Sequence, residues 1–429
     1  MILKFEKIKD PLIKTLLLCF VVAAIPFKLN LGNLAIILAL TYNVLFFEKG
    51  NFRKLTKGGF ILPLLLFAFI LISSIFSKND YGIKRLDLEF LSLAVTLIVI
   101  NFNFTKKNLS YIFKSFYFSN ILSVTILLAI AFLGLINGGN ISEVSFHNFT
   151  ALFDQHPVFF SMYLSLALGI SINTNLGLTK HQLIFGYLLL ISGIIFCASK
   201  AVILFDLFAI LTFCLLNSRR KHKAILLIFF VFSIVFINVP FLKKRFTEGL
   251  EFKKEIIDFH PTNDFSLKKR FSYDEKSNIS DLELRYILAK IGLYHQIEDK
   301  KLIFGYGKGD SKDYLNYYLF SYNLGPNWFE DFNLHNQYLD ILFNLGTLAL
   351  IIFLIYLYYS IRIAFKRKDY NHIFFILFFS FVFLFDAPLT INKGIVFFYV
   401  FNAIFIFKEL AFESNNFRYQ RNSKPSWRL

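Results

Sequence analysis

Long apolar runs separated by short polar stretches organise this chain. A helix crossing the hydrocarbon core of a bilayer needs about 17 to 25 residues. Runs of that kind fall near 12–27, 30–47, 59–77, 87–103, 113–137, 157–173, 183–199, 201–217, 223–240, 338–361, 371–386 and 394–410. The pattern predicts an all-α, polytopic integral membrane protein with about twelve transmembrane helices. It divides the chain into an N-terminal bundle of about nine helices (1–240), one large loop (241–336), C-terminal transmembrane helices (337–412) and a tail (413–429). In the loop, the stretch from Lys243 to Asn278 reads as polar and irregular. Ser280-Asp281-Leu282-Glu283 reads as a capping box that starts a helix. Leu284, Ile287, Leu288, Ile291 and Tyr294/His295 follow at helical spacing, predicting an amphipathic helix lying against the membrane surface.

Composition agrees with the pattern. The 429 residues are 56% hydrophobic, 19% aromatic and 17% charged, and so few charges do not cover a soluble surface. The formal charge of +17 raises the question of nucleic acid. Its placement answers against that partner, because Lys4/Lys7/Lys9, Lys49/Arg53/Lys54/Lys57, Lys106/Lys107, Arg219/Arg220/Lys221/Lys223 and Lys366/Arg367/Lys368 all fall on one side of the bilayer. With the N-terminus cytoplasmic, the long loop is external, and long loops translocate largely regardless of charge. Lys78/Lys84/Arg85 forms a basic external loop that this rule does not want, which makes it a functional hint. Cys19, Cys197 and Cys214 sit within apolar runs and imply no disulfide framework.

Candidate chemistry gathers at the external ends of the runs. His335-Asn336 precedes an apolar run by nine residues from Gly346, with Ala349 beyond. As one continuous helix, the eleven steps from His335 to Gly346 span about 16 Å and return to nearly the same face. That reading puts the histidine above a small-residue face, Gly346 and Ala349, packed on a neighbour. His156-Pro157 opens a run with ordinary helix-start chemistry, and Lys200 in Ser199-Lys200-Ala201 has the position of a lysine reaching for headgroups. Asp206, in mid-span, is costly unless paired or protonated. Gly305, Gly307 and Gly309 permit a tight turn near an anion. Arg285 stands in the first turns of the predicted loop helix, where the dipole disfavours a cation, so another partner must hold it.

In this order these pieces resemble the O-antigen ligase and O-antigen polymerase family of bacterial envelope glycosyltransferases. His335-Asn336, nine residues, Gly346 and Ala349 are similar to the ligase pattern of histidine, a small polar residue, nine spacers and G-x-x-G, with Ala349 for the last glycine. Arg285, about twenty residues before Gly305, Gly307 and Gly309, resembles the family's loop arginine ahead of its G-x-G segment. His156-Pro157 resembles the H-P or P-N pair at the start of a family helix. Ser199-Lys200-Ala201 stands where the family has Ser-Arg-Gly or Ser-Arg-Ala; Lys200 keeps the charge and loses the bidentate fork.

The resemblance implies a GT-C-like membrane glycosyltransferase of the bacterial inner membrane, with its site facing the periplasm. It implies a glycan moving from an undecaprenyl-diphosphate donor to an acceptor hydroxyl on lipid A-core or a growing polysaccharide, with neither metal nor cofactor. Arg285 and His335 are then the catalytic candidates, with Lys200, Lys308, Arg85, His156 and Asn336 binding diphosphate or glycan. Gly305, Gly307, Gly346 and Ala349 are structural. His335 as base or as orienting group, and lipid A-core, polysaccharide or protein as acceptor, stay open. Two other functions fit the same hydropathy: a metal-dependent glycosyltransferase built on Asp87-x-Glu89, and a flippase or other transporter of lipid-linked glycan.

Overall fold

The computed structural model describes residues 11–216, 252–326 and 329–408, with the isolated positions 234, 238, 243 and 247 between them. The tail 413–429 and all but two residues of the ninth apolar run, 223–240, lie outside the described residues. Among the described residues the structure is helical, with no strand.

The longer helices are α1 (Pro11–Ala24), α2 (Leu29–Leu45), α3 (Gly58–Ile75), α4 (Leu86–Ile100), α5 (Lys106–Ile136), α6 (Pro157–Asn173), α7 (Lys180–Cys197) and α8 (Lys200–Leu216). After the described gap come α9 (Asp281–Glu298), α10 (Ser311–Ser321), α11 (Gln337–Arg367), α12 (Tyr370–Val382) and α13 (Asn392–Phe407). Four of them, α3, α5, α7 and α11, are long and apolar enough to cross a membrane. A fifth span results if α2 and the bent helical stretch Lys49–Leu55 count as one. The helices α1, α6, α12 and α13 are apolar but have 14, 17, 13 and 16 residues. At about 1.5 Å per residue they fall short of a core about 30 Å thick.

Bundle packing follows from which helices are apolar all round. Helices α6 and α13 are buried along nearly their whole length, as a helix without a polar stripe must be. Phenylalanine fills the space between α12 and α13, for example Phe379 on Phe398 with ring centroids 4.9 Å apart and Phe375 on Phe405 at 5.5 Å. Asp206 is wholly enclosed and accepts from the Ser165 hydroxyl at 2.5 Å. Lys200, six residues earlier on α8, takes no part in that contact; its ammonium stands 4.0 Å from Asp281.

The segment 252–334, the cap, has an apolar core of its own. Phe259, Phe271, Ile287, Leu288, Ile291, Tyr318 and Tyr322 are buried together in it. The capping box at the start of α9 is formed, with Glu283 N donating to Ser280 Oγ at 3.2 Å and Ser280 N to Glu283 Oε2 at 2.8 Å. The surface-lying helix expected here is corrected. Ile287, Leu288 and Ile291 have no exposed area, because tyrosines and phenylalanines from both flanks cover that face before lipid can. The stretch taken as irregular supplies part of the cover through Ile256, Phe259 and Phe271.

A second correction concerns α11. The backbone leaves helical geometry at Gly346 (φ 83°, ψ −178°), so the helix is two rods joined at a kink. His335 lies before the helix, with φ 46°, and Asn336 is the cap, accepting from the N–H groups of Tyr338 and Leu339 at 3.0 Å. The shared face of His335 and Gly346 therefore does not exist. The kink releases the carbonyls of Leu342, Phe343 and Asn344, and the cap supplies donors to each. Gln296 Nε2 donates to Leu342 O (2.6 Å), Tyr306 N to Phe343 O (2.9 Å) and Gly307 N to Asn344 O (3.0 Å). In return Thr347 N donates to Leu302 O at 2.9 Å. The approach requires glycine: a Cβ on Gly346 would lie 2.1 Å from Ile303 O, and one on Gly305 2.5 Å from the Asn344 backbone. Ala349, fully buried one turn on, packs within the bundle.

Candidate functional site

Chain turns and the cap meet at one end of the bundle, around the turn between α12 and α13. Four successive carbonyls of that turn accept from elsewhere. Gln337 N donates to Phe383 O (2.8 Å) and Asp386 O (3.1 Å), Asn336 Nδ2 to Leu384 O (3.0 Å), and Arg285 Nε to Phe385 O (2.9 Å). Arg285 Nη1 also donates to Asp281 O at 2.8 Å, and these two bonds fix the plane of the guanidinium. The partner demanded for a cation in the first turns of α9 is thus a pair of backbone carbonyls, and among the described residues no carboxylate forms an ion pair with it.

His335 approaches the same turn, its Nδ1 3.8 Å from Asp386 Oδ1. Its left-handed backbone is unusual for a residue with a side chain, and the Asn333 carboxamide holds it by accepting from His335 N at 2.8 Å. Burial alone would raise the Asp386 carboxyl. The His335 ring beside it, a bond from Ala387 N and the charges of His335 and His156 instead hold it below the usual carboxylate range. His156 is exposed at the start of α6, its ring 5.0 Å from that of His147. Lys200 joins the group through Asp281, the residue whose carbonyl holds Arg285. Arg285, His335 and Asn336 therefore contact one turn, with His156 acting on Asp386 through its charge and Lys200 linked to Arg285 through Asp281.

Arg85 and Lys308 lie elsewhere, in a cavity of about 250 Å³ between residues 81–85, 308–315, 331–334 and the first half of α11. Arg85 Nη1 donates to Tyr81 OH (2.6 Å) and Nη2 to Thr390 O (3.2 Å). Lys308 forms a buried ion pair with Glu89 at 2.7 Å, and Lys312 pairs with Asp331 at 3.1 Å on the rim. Burial alone would depress the Lys308 ammonium, but the charges of Glu89 and Asp340 hold it above the ordinary lysine value. Below lies a smaller apolar slot between α3, α4, α11 and α13, lined by Leu66, Phe67, Ile70 and Phe353, with Glu89 and Asp340 at its head. Phe332 connects the two regions. It lines the cavity, and its ring stands 5.3 Å from that of His335.

The glycine segment does not form an anion cradle. Its N–H groups are taken: Gly305 N by Lys301 O (2.8 Å), Tyr306 N and Gly307 N by the kink, Lys308 N by Ser73 Oγ (2.7 Å) and Gly309 N by Ser77 Oγ (3.0 Å). It is a strap that ties the cap to α11 and to the end of α3. The paired acids of Asp87-x-Glu89 are not brought together either, since Glu89 is buried on Lys308 while Asp87 is exposed. Among the described residues no group of three or more His, Cys, Asp or Glu side chains has the geometry of a metal site.

Sequence reasoning missed Asp386, read as the end of an apolar run, and Asp340, hidden in the first turn of another. The basic loop 78–85 is tied to the neighbouring segment through its backbone. Asp310 accepts from Lys78 N and Asn79 N at 2.9 and 3.1 Å, binding that loop to the cap beside the cavity.

Apolar helices long enough to cross a bilayer, with cations and an imidazole gathered at one end beneath a folded cap, define an integral membrane protein with a polar site at the bundle's end. Residues 185–354 match the family model described as O-Antigen ligase, and this match supports the resemblance to the O-antigen ligase/polymerase family. The matched segment contains Lys200, Arg285, Lys308, His335, Asn336, Gly346 and Ala349. Arg85, Glu89, His156 and Asp386 fall outside it. The search of curated proteins found no match.

Proposed function

We infer that the protein transfers a glycan from an undecaprenyl-diphosphate carrier to an acceptor hydroxyl on lipid A-core or a growing polysaccharide. In this reading it has about twelve spans in the bacterial inner membrane, and the end bearing the cap faces the periplasm. One observation carries the reading: Arg285 and His335 contact adjacent residues, Phe385 and Asp386. A cation fixed by carbonyls, not by a carboxylate, keeps its charge for an anionic ligand. Cleavage of the sugar–phosphate bond puts growing negative charge on the diphosphate, which Arg285 meets with Lys200 beside it. With Nδ1 turned to Asp386, Nε2 of His335 is the nitrogen that accepts the proton of the attacking hydroxyl. The hydroxyl oxygen bonds to the anomeric carbon, and the bonding pair of the old C–O bond leaves on the phosphate. Side-chain cations carry this charge stabilisation, so no metal step is invoked.

The test is reconstitution of the purified protein in vesicles with a lipid-linked glycan donor, in chelator. Covalent attachment of glycan to the acceptor supports the reading. Glycan that only changes leaflet identifies a transporter, and activity lost to chelator identifies a metal-dependent enzyme. In cells, deletion separates the acceptors: loss of long chains from lipid A, attachment of single repeats only, or unglycosylated protein.

A further inference from the structure

We propose that the 250 Å³ cavity holding Arg85 and Lys308 is the subsite for the sugar ring that bears the attacking hydroxyl, separate from the diphosphate site at the turn; this rests on the transfer reading above. The linings differ in kind. Around the turn, Arg285 is held by neutral carbonyls, while Asp281 and Asp386 place carboxylates near Lys200 and His335. In the cavity, Arg85 is held by Tyr81 OH and Thr390 O, Lys312 pairs with Asp331 at 3.1 Å, Asp340 is in the lining, and Lys308 is paired at 2.7 Å with Glu89. A near-neutral cavity rich in donors and acceptors matches a polyhydroxyl ring.

The walls agree with that ligand. Tyr81 and Phe332 present aromatic surface, and Asn344 and Asp340 are bonded to each other at 2.9 Å with both reaching the cavity. Position agrees as well. Direct displacement at an anomeric carbon puts nucleophile and leaving group on opposite faces. His335 stands between the turn, through Asp386, and the cavity, through Phe332. In this assignment a hydroxyl presented from the cavity gives up its proton to Nε2 of His335 and attacks as the diphosphate departs.

Asp331 and Tyr81 give the test, because Asp331 belongs to a rim ion pair largely exposed on its acidic side (66%) whose loss costs little stability. Kinetics of the full-length protein in nanodiscs are measured with donor and acceptor varied separately. Asp331→Ala and Tyr81→Ala are expected to raise acceptor KM by about ten-fold, the value of a lost hydrogen bond or ring contact, with donor KM unchanged. A rise in donor KM alone, or no change in either, overturns the assignment. Saturation-transfer NMR supplies a readout without turnover, using soluble oligosaccharide released by mild acid from the source cells' surface glycolipid. Contact with wild type that weakens in both variants supports the subsite. No contact with wild type, or contact unaltered in the variants, overturns it. A wild-type protein that binds this oligosaccharide but attaches no glycan would instead sink the transfer reading, and with it the acceptor role, leaving the cavity a glycan-binding site only.

Discussion

Two polar regions share one end of the bundle and hold Arg285 and Lys308 in opposite ways. At the turn between α12 and α13, Arg285 hangs on two backbone carbonyls and Lys200 sits 4.0 Å from the Asp281 carboxylate. In the cavity, Lys308 is buried against Glu89 at 2.7 Å. A carbonyl fixes geometry without cancelling charge; a buried carboxylate cancels it. Arginine and lysine conspicuous in the same sequence thus do different work, and the partner, not the residue type, tells which.

The contrast predicts different failures on the two sides. Lys308→Ala strands Glu89 in a buried site, and is expected to lower stability by roughly 3–5 kcal/mol. Replacing both partners by methionine should recover most of it, read as the melting midpoint in detergent. A Lys308→Ala protein as stable as wild type would mean the pair is not structural. Arg285→Ala is expected to leave the melting midpoint and the abundance in the membrane near wild type, while transfer falls by about 100-fold or more. Equal losses of stability on both sides would erase the distinction.

Two further experiments sharpen it. In the cap, burial depresses His295 to about 4, with the Lys268 charge adding and Asp299 opposing. Its neutral ring meets Tyr322 OH at 2.9 Å. Because its folded value lies below the unfolded one, the unfolded chain takes up the proton first as pH falls from about 6.5. Cap stability is therefore full above about 6.5 and is lost progressively toward 4, and His295→Gln should flatten that slope in melting curves. A slope unchanged by the substitution would assign the loss to other groups. Lys200→Ala should have the smallest effect, a rise of a few-fold in donor KM, as suits a part-exposed cation assisting at the edge of a site. An effect equal to that of Arg285→Ala would make Lys200 a principal ligand.

Much of this was legible from local pattern. Ser280 and Glu283 announced the start of α9, since a capping box is complete within four residues. The apolar runs located the helices, but length alone does not make each a full span. The kink at Gly346 was hidden, because a lone glycine in an apolar run reads as a packing residue. Its conformation exists only because donors from Gln296, Tyr306 and Gly307, 37 to 46 positions before the carbonyls they serve, replace the broken helix bonds. Glu89 was noticed with the wrong partner: beside Asp87 it looks like a helix-start acid, while Lys308 is 219 positions away. Asp386 gave no signal, since a turn between two apolar helices is indistinguishable in sequence from the frayed end of one.

The central claim is that Arg285 and His335 act on one ligand at one turn. A double-variant cycle tests it most directly, with transfer rates measured for wild type, Arg285→Ala, His335→Ala and the pair. Groups serving one displacement are strongly non-additive. The double variant should therefore transfer glycan about as slowly as either single variant. Losses that multiply, as for independent sites, would contradict the account.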